Sequence, residues 1–247
     1  MRAGTTSLYN FLTRHPLVRP GVMKEVHFFD LNHHRGLDWY RAHFPLQSGF
    51  DRRAEGRGGR ALTGEASPYY LFHPLVAERV AADLPGVRLI VILRDPIQRA
   101  YSHYWHCIRW GEENLSFEAA IALEPHRLAG QEAKIRADAR YISPTYQPFS
   151  YLARGEYASQ LAHWFDHFPR EQILILENKT FYREAAAPQK LLAFLGLPES
   201  GVSPTKRFNQ AEYPPMNPAT HDRLREYFRP HNARLYEMLG VEFPWDD

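Results

Sequence analysis

Two stretches of the chain are apolar without interruption and without alternation. VRLIVILRDP (87–96) is a run of leucine and β-branched residues ended by Asp-Pro, and EQILILEN (171–178) repeats the pattern. A strand with one wet face alternates, whereas a strand covered on both faces does not, so these runs predict buried strands of a parallel sheet. Around them, apolar residues recur at helical spacing over 7–16, 95–111, 155–169, 188–198 and 218–240, with Pro230 expected to break or kink the last helix. Strands alternating with helices predict an α/β domain whose sheet carries helices on both faces. The glycine- and arginine-rich stretch 48–61 has no apolar period and reads as a flexible surface loop. No internal repeat marks a solenoid.

Length and composition narrow this only slightly. At 247 residues the chain fits one sizeable domain, 1–247, and the 44% hydrophobic and 23% charged fractions are those of a globular protein. A formal net charge of +2 gives no reason to propose a nucleic-acid or membrane partner. Cys107 is the one cysteine, which excludes an internal disulfide and a cysteine-built zinc site. No eighteen-residue apolar run and no signal-peptide core is present, so a cytoplasmic protein is expected.

Three short stretches carry candidate chemistry. RAGTTS (2–7) places small residues, free backbone N–H groups and three hydroxyls at a helix start, where N–H groups and the helix dipole favour an anion. Arg2 adds a cation, and Gly4 allows close backbone approach. The competing reading is an N-cap supplied by Thr6 or Ser7. In LRDPIQRAYSHY (93–104), Arg94 ends a buried strand and Ser102 lies on the following helix, at the carboxyl edge where open α/β sheets bind ligands. A structural Arg94–Asp95 turn is the alternative there. KEVHFFD (24–30) gathers Lys24, Glu25, His27 and Asp30. Two aromatics beside a carboxylate are expected to raise its pKa toward general-base use, against the plainer reading of a charged strand edge. His27, His33 and His34 do not fall on one helix face, so a metal is not expected.

Together these stretches resemble one family, the sulfotransferases that use 3′-phosphoadenosine 5′-phosphosulfate (PAPS), in particular the heparan sulfate N- and 3-O-sulfotransferase branch and bacterial proteins of that type. RGLDWYRAHFP (35–45), GEASPYYLFHP (64–74) and LREYFRPHNARLYEMLG (224–240) also read like family segments, so the likeness runs from residue 2 to residue 245. The resemblance implies a P-loop-like three-layer fold with a central parallel sheet. It implies that Arg2, Ala3, Gly4, Thr5, Thr6 and Ser7 cradle the 5′-phosphosulfate, with Arg2 also catalytic, and that Arg94 and Ser102 hold the 3′-phosphate. Glu25 takes the place of the catalytic base, with His27 and His106 assisting, and Asp30 and Glu65 face the acceptor. PAPS would be donor and 3′-phosphoadenosine 5′-phosphate the product, with no metal and with a hydroxyl or amine of a glycan or small molecule as acceptor.

The chain departs from the family pattern at the loop's usual lysine, which is Arg2, and after Glu65, where Ala66 stands in place of a lysine. Lys206 and Arg207 substitute for the family's basic loop over the nucleotide. A loop of this kind normally follows a β-strand, so Met1 is expected to be internal, with about 5–6 strand residues upstream. Segments 31–62 and 129–152 are expected to shape the acceptor cleft, with Tyr141, Tyr146, Phe149 and Tyr151 available for stacking, structural packing being an equally good account of them. The alternatives are a non-catalytic nucleotide-binding relative and a small-molecule kinase. The kinase is disfavoured by the absence of a GxxxxGK[ST] ending to the loop.

Overall fold

The computed structural model describes residues 3–46, 48, 60–184, 186–202 and 213–245. In chain order the principal elements are α1 (Thr5–Thr13), β1 (Val18–Pro20), α2 (Leu37–Arg41), β2 (Leu62–Gly64), α3 (Val76–Asp83), β3 (Leu89–Leu93), α4 (Pro96–Trp110), α5 (Phe117–Leu128), α6 (Gln131–Ala137), α7 (Tyr157–Phe165), β4 (Ile173–Glu177), α8 (Asn178–Arg183), α9 (Ala186–Leu195) and α10 (Pro218–Leu239). The two apolar runs are β3 and β4, paired parallel in the register Leu89↔Ile173 to Leu93↔Glu177. A second parallel pair joins β1 to β2, from Val18↔Leu62 to Pro20↔Gly64.

Why those runs lack alternation is visible in where their side chains go. Ile92, Leu174 and Leu176 pack with Leu8 and Phe11 of α1, Phe181 of α8 and Leu191 of α9. Ile173 lies on the opposite face with Val26, Phe28, Phe29 and Trp164, and Leu93 joins Leu161 and Leu235 there. Successive residues of a strand point to opposite faces, so burial on both requires an apolar residue at every position. Each such Leu or Ile contributes about 1.5–3 kcal/mol when fully buried.

The helix that leads from β3 is defined by its cap. Asp95 accepts hydrogen bonds from the backbone N–H groups of Ile97 and Gln98 at 2.8 and 3.2 Å, Pro96 occupies the first turn, and Gly111 closes α4 at φ 72°. The Asp95 carboxylate therefore serves as a helix cap, which contributes about 1 kcal/mol.

Several expectations are corrected. Pro230 does not break the last helix, which runs unbroken from Pro218 to Leu239. Leu224 and Phe228 before it and Leu235 after it are all buried, and that packing outweighs the lost backbone hydrogen bond. α3, α5 and α6, along with the three-residue strands β1 and β2, have patterns too short or too mixed to announce themselves. The loop read over 48–61 falls largely outside the described residues, as do Arg2, Lys206 and Arg207. No described helix is long and apolar enough to cross a membrane.

Candidate active site

The start of α1 is shaped by glycine and not by a hydroxyl. Gly4 stands at the N-cap with φ 98°, and no side chain caps the helix, so Thr5, Thr6 and Ser7 all lie within its first turn. That overturns the reading of Thr6 or Ser7 as N-cap. The loop is tied to the end of β4, where Asn178 Nδ2 donates to Ala3 O at 2.8 Å. A methyl group on Gly4 would overlap the Asn178 amide. The loop thus sits at the carboxyl end of β4, whose partner β3 leads into Arg94, in the place parallel sheets reserve for ligands.

The segment 24–30 is laid against residues 65–70 by a set of hydrogen bonds. Ala66 N donates to Lys24 O at 2.8 Å. Glu65 Oε2 accepts from Val26 N at 3.0 Å and from Ser67 Oγ at 2.6 Å, while Tyr70 donates to Glu65 Oε1 at 2.7 Å. Ser67 Oγ takes His27 N at 3.1 Å, and the Tyr70 oxygen takes Phe28 N at 2.9 Å. Burial raises the pKa of Glu65, and these donors offset that only in part. Expected to face the acceptor, Glu65 is seen fastening the backbone of the catalytic segment. The segment is a turn, not a strand edge: His27 adopts the left-handed conformation at φ 52°, and a π-helical turn follows over Phe28–Asn32. Phe28 and Phe29 are buried against Tyr40, at 4.7 and 5.1 Å between ring centroids.

That turn produces a linear relay of charge. Lys24 Nζ lies 3.4 Å from Thr5 Oγ1 in the anion loop and 2.5 Å from Glu25 Oε1. Glu25 Oε2 faces His27 Nε2 at 3.4 Å, and His27 Nδ1 meets Asp30 Oδ2 at 2.7 Å. Behind it, Arg79 donates to Phe29 O at 2.6 Å and fixes the turn from below.

The electrostatics follow from this order. Burial opposes ionisation of Glu25, but its bonds to His27 and Lys24 prevail and hold it down at about 2. The expectation that Phe28 and Phe29 would raise it is therefore wrong, because both rings turn into the core while two cations flank the carboxylate. Burial likewise opposes the charging of His27, yet Asp30 and Glu25 raise it to about 10. At neutral pH Glu25 is therefore a carboxylate and His27 a protonated ring, set between Lys24 and Asp30.

The remaining expected residues divide into two groups. Ser102 is buried on α4 and His106 half-buried one turn later, both on the helix that leaves Arg94. Of the aromatics expected to stack an acceptor, Tyr151 and Tyr146 belong to the core. The Tyr151 hydroxyl donates to Glu113 at 3.0 Å, and Tyr146 stacks on Phe72 at 4.8 Å. Phe149 lies under the Arg127 guanidinium at 4.0 Å, and Tyr141 donates to Gln131 at 2.9 Å. His33, read alongside His27 in the search for metal ligands, pairs with Asp83 at 2.9 Å. Sequence reasoning gave no role to Lys24 or Asn178. Lys24 was visible as the neighbour of the expected base, and Asn178 as the residue ending the second apolar run.

Comparison with known proteins places this geometry. Residues 1–226 match the Sulfotransferase domain. The chain is 30% identical over 270 residues to human heparan sulfate glucosamine 3-O-sulfotransferase 3B1, covering 99% of this chain and 63% of that protein. It is 25% identical over 319 residues to the membrane-associated sulfotransferase kil1 of Dictyostelium discoideum, covering 100% and 65%. The chain thus spans a little under two thirds of the length of these relatives. The name of kil1 lends no support to the expectation of a cytoplasmic protein. Among solved structures, a sulfotransferase from Alicyclobacillus acidocaldarius superposes with a TM-score of 0.70 at 30% identity, over 100% of this chain and 95% of that one.

Proposed function

This chain belongs to the sulfotransferase domain family, and we propose that it transfers a sulfuryl group from PAPS to a hydroxyl or amine of a glycan acceptor, with Glu25 as general base. The observation that carries the reading is the relay Lys24–Glu25–His27–Asp30 abutting Thr5 at the uncapped start of α1.

The residues present fit the donor. The first-turn N–H groups of α1, the hydroxyls of Thr5, Thr6 and Ser7, and the left-handed Gly4 offer a cradle for the 5′-phosphosulfate, and Arg94 and Ser102 are the family's partners for a 3′-phosphate. When bound, PAPS supplies the sulfuryl group and an anionic leaving phosphate. Lys24 already touches the cradle, and turning toward that anion it lets go of Glu25. The carboxylate then loses one of the two cations that depress it, and its basicity rises where the acceptor's proton must be taken. His27, kept cationic by Asp30, orients Glu25 and stabilises charge that builds at the centre. The names of the relatives, which specify heparan sulfate, support a sugar acceptor.

The test is sulfate transfer from labelled PAPS to heparan-type oligosaccharides and phenols, with a thermal-shift titration comparing adenosine 3′,5′-bisphosphate, ATP and AMP. Selective stabilisation by the bisphosphate together with turnover on a sugar is the expected result. Stabilisation without turnover on any acceptor would favour a non-catalytic nucleotide-binding relative.

A further inference from the structure

Beneath α4 lies a second set of basic groups that the transfer reaction does not use. Arg99 and His103 stand one turn apart on the same face of α4, and Ser150 and Arg154 approach from the segment that leads into α7. All four are buried: Arg99 is 2% exposed, His103 and Ser150 0%, and Arg154 4%. The guanidinium groups are anchored at their edges, and Arg99 also interacts with the Tyr157 hydroxyl. Arg99 Nη2 donates to Tyr151 O, and Arg154 Nη2 donates to Gln147 O at 2.8 Å. Arg154 Nε and Nη1, Arg99 Nε and Nη1, both ring nitrogens of His103 and Ser150 Oγ have no hydrogen-bond partner.

Seven polar atoms in one buried cluster are far more than a well-packed interior tolerates, since each orphan costs about 1–3 kcal/mol. The charge is unbalanced as well. Glu124, itself buried, attracts Arg99 and accepts from Leu152 N and Ala153 N at 2.7 and 2.9 Å, so one carboxylate stands beside two guanidinium groups. Glu113 pairs with Arg127. The aromatic faces of Tyr69 and Phe72, 4.7 and 5.3 Å from the Arg154 guanidinium, soften its charge without neutralising it. Burial first, and then Arg154 and Arg99, drive the pKa of His103 well down, so the ring is neutral and offers one N–H. Water would satisfy the orphan donors but leave two buried guanidinium groups sharing the single Glu124 carboxylate.

We propose that Arg99, His103, Ser150 and Arg154 bind a small monovalent anion of the chloride class, held as a structural ion between α4 and the 150–154 segment. The site is buried, offers the N–H groups of two guanidinium side chains together with the His103 ring and the Ser150 hydroxyl, and is separate in its residues from the Glu25 relay. Its occupant ties α4, the helix that carries Ser102, to the chain leading into α7.

Bromide is the probe. Crystals of the full chain grown in sodium bromide should give an anomalous peak between the Arg99 and Arg154 guanidinium groups; featureless or water-like scattering there overturns the proposal. In solution, replacing gluconate by chloride at constant ionic strength should raise Tm by at least about 2 °C, as ligand binding to the native state requires. The same rise should persist with saturating adenosine 3′,5′-bisphosphate, and its disappearance would assign the chloride effect to the nucleotide cradle and sink the proposal. Arg154→Met should abolish the chloride dependence. If that variant does not fold, the bromide peak and the gluconate exchange on the unmodified protein still decide the matter.

Discussion

Asp30 Oδ2 lies 2.7 Å from His27 Nδ1, and while a quarter of the His27 side chain is open to solvent, the Asp30 side chain is wholly closed off. A buried acceptor on Nδ1 fixes the ring's orientation and turns Nε2 toward Glu25, where a protonated ring donates. Asp30 therefore acts through His27. Asp30→Asn should lower the upper limb of the pH profile of kcat/KM from near 10 by about 1–3 units, the usual effect of removing a contacting opposite charge. A limb that stays in place would take His27 out of the rate-determining ionisation.

Glu25→Gln keeps the shape of the side chain and removes its basicity. kcat should fall by about 10²–10⁴, the usual contribution of a positioned general base. The Kd for adenosine 3′,5′-bisphosphate, read by calorimetry, should change little, because Glu25 touches Lys24 and His27 and not the loop itself. Comparable losses in both would move Glu25 from proton transfer to donor binding.

Lys24→Met separates the base from the loop. With one of its two cations gone, Glu25 should titrate above its present value of about 2. The variant should then show a falling acid limb in kcat/KM that the parent lacks in the same range, and weaker donor affinity. A variant profile identical in shape to the parent's would mean that Lys24 does not set the basicity of Glu25.

Stability should follow the same two groups. The folded His27 lies above its ordinary 6.5, so its contribution is complete below pH 6.5 and fades as pH rises through about 10. Glu25 lies below its ordinary 4.5, so its contribution is present above pH 4.5 and fades as pH falls toward about 2. Denaturant unfolding across pH should give a plateau between these limits. In Asp30→Asn the alkaline decline should still begin near pH 6.5 but be smaller and end earlier.

Gly4→Ala should destabilise the fold by about 1–2 kcal/mol for the left-handed conformation alone, and by more because the new methyl meets the Asn178 amide. Asn178→Ala in the same chain should recover the part due to overlap and none of the part due to φ. Equilibrium unfolding of the two single variants and the double variant separates these terms, and full recovery would show that φ is not the constraint.

The legible parts of this protein were those where one physical demand dominates a contiguous stretch. Burial on both faces wrote β3 and β4 as unbroken apolar runs, and Asp95-Pro96 announced the start of α4. The start of α1 could be read because Gly4 and the hydroxyls of Thr5, Thr6 and Ser7 stand at the head of an apolar pattern at helical spacing. β1 was illegible because three residues ending in Pro20 form a strand only once Leu62–Gly64, far along the chain, lies beside them. The state of Glu25 was misread for a similar reason. The short stretch 24–30 puts Phe28 and Phe29 three and four residues from it, whereas around the left-handed turn at His27 both rings lie in the core and the His27 ring joins the neighbouring Lys24 at the carboxylate. Tyr151 and Tyr146 looked like stacking surfaces because an aromatic's burial depends on distant packing that local pattern does not record.

The bond from Asn178 to Ala3 also orders events in time. It spans 175 residues, and the loop that it anchors is among the first parts of this sequence to be made. At about 5–20 residues per second, a ribosome needs roughly 9–35 s to deliver Asn178 after Ala3 has been joined. Throughout that interval the loop lacks this anchor, and the apolar side of α1 lacks the Leu174 and Leu176 surface it will cover. In a nascent chain the Gly4 loop therefore gains its anchor only once β4 has been made, and a chain halted before β4 would leave the apolar side of α1 to chaperones.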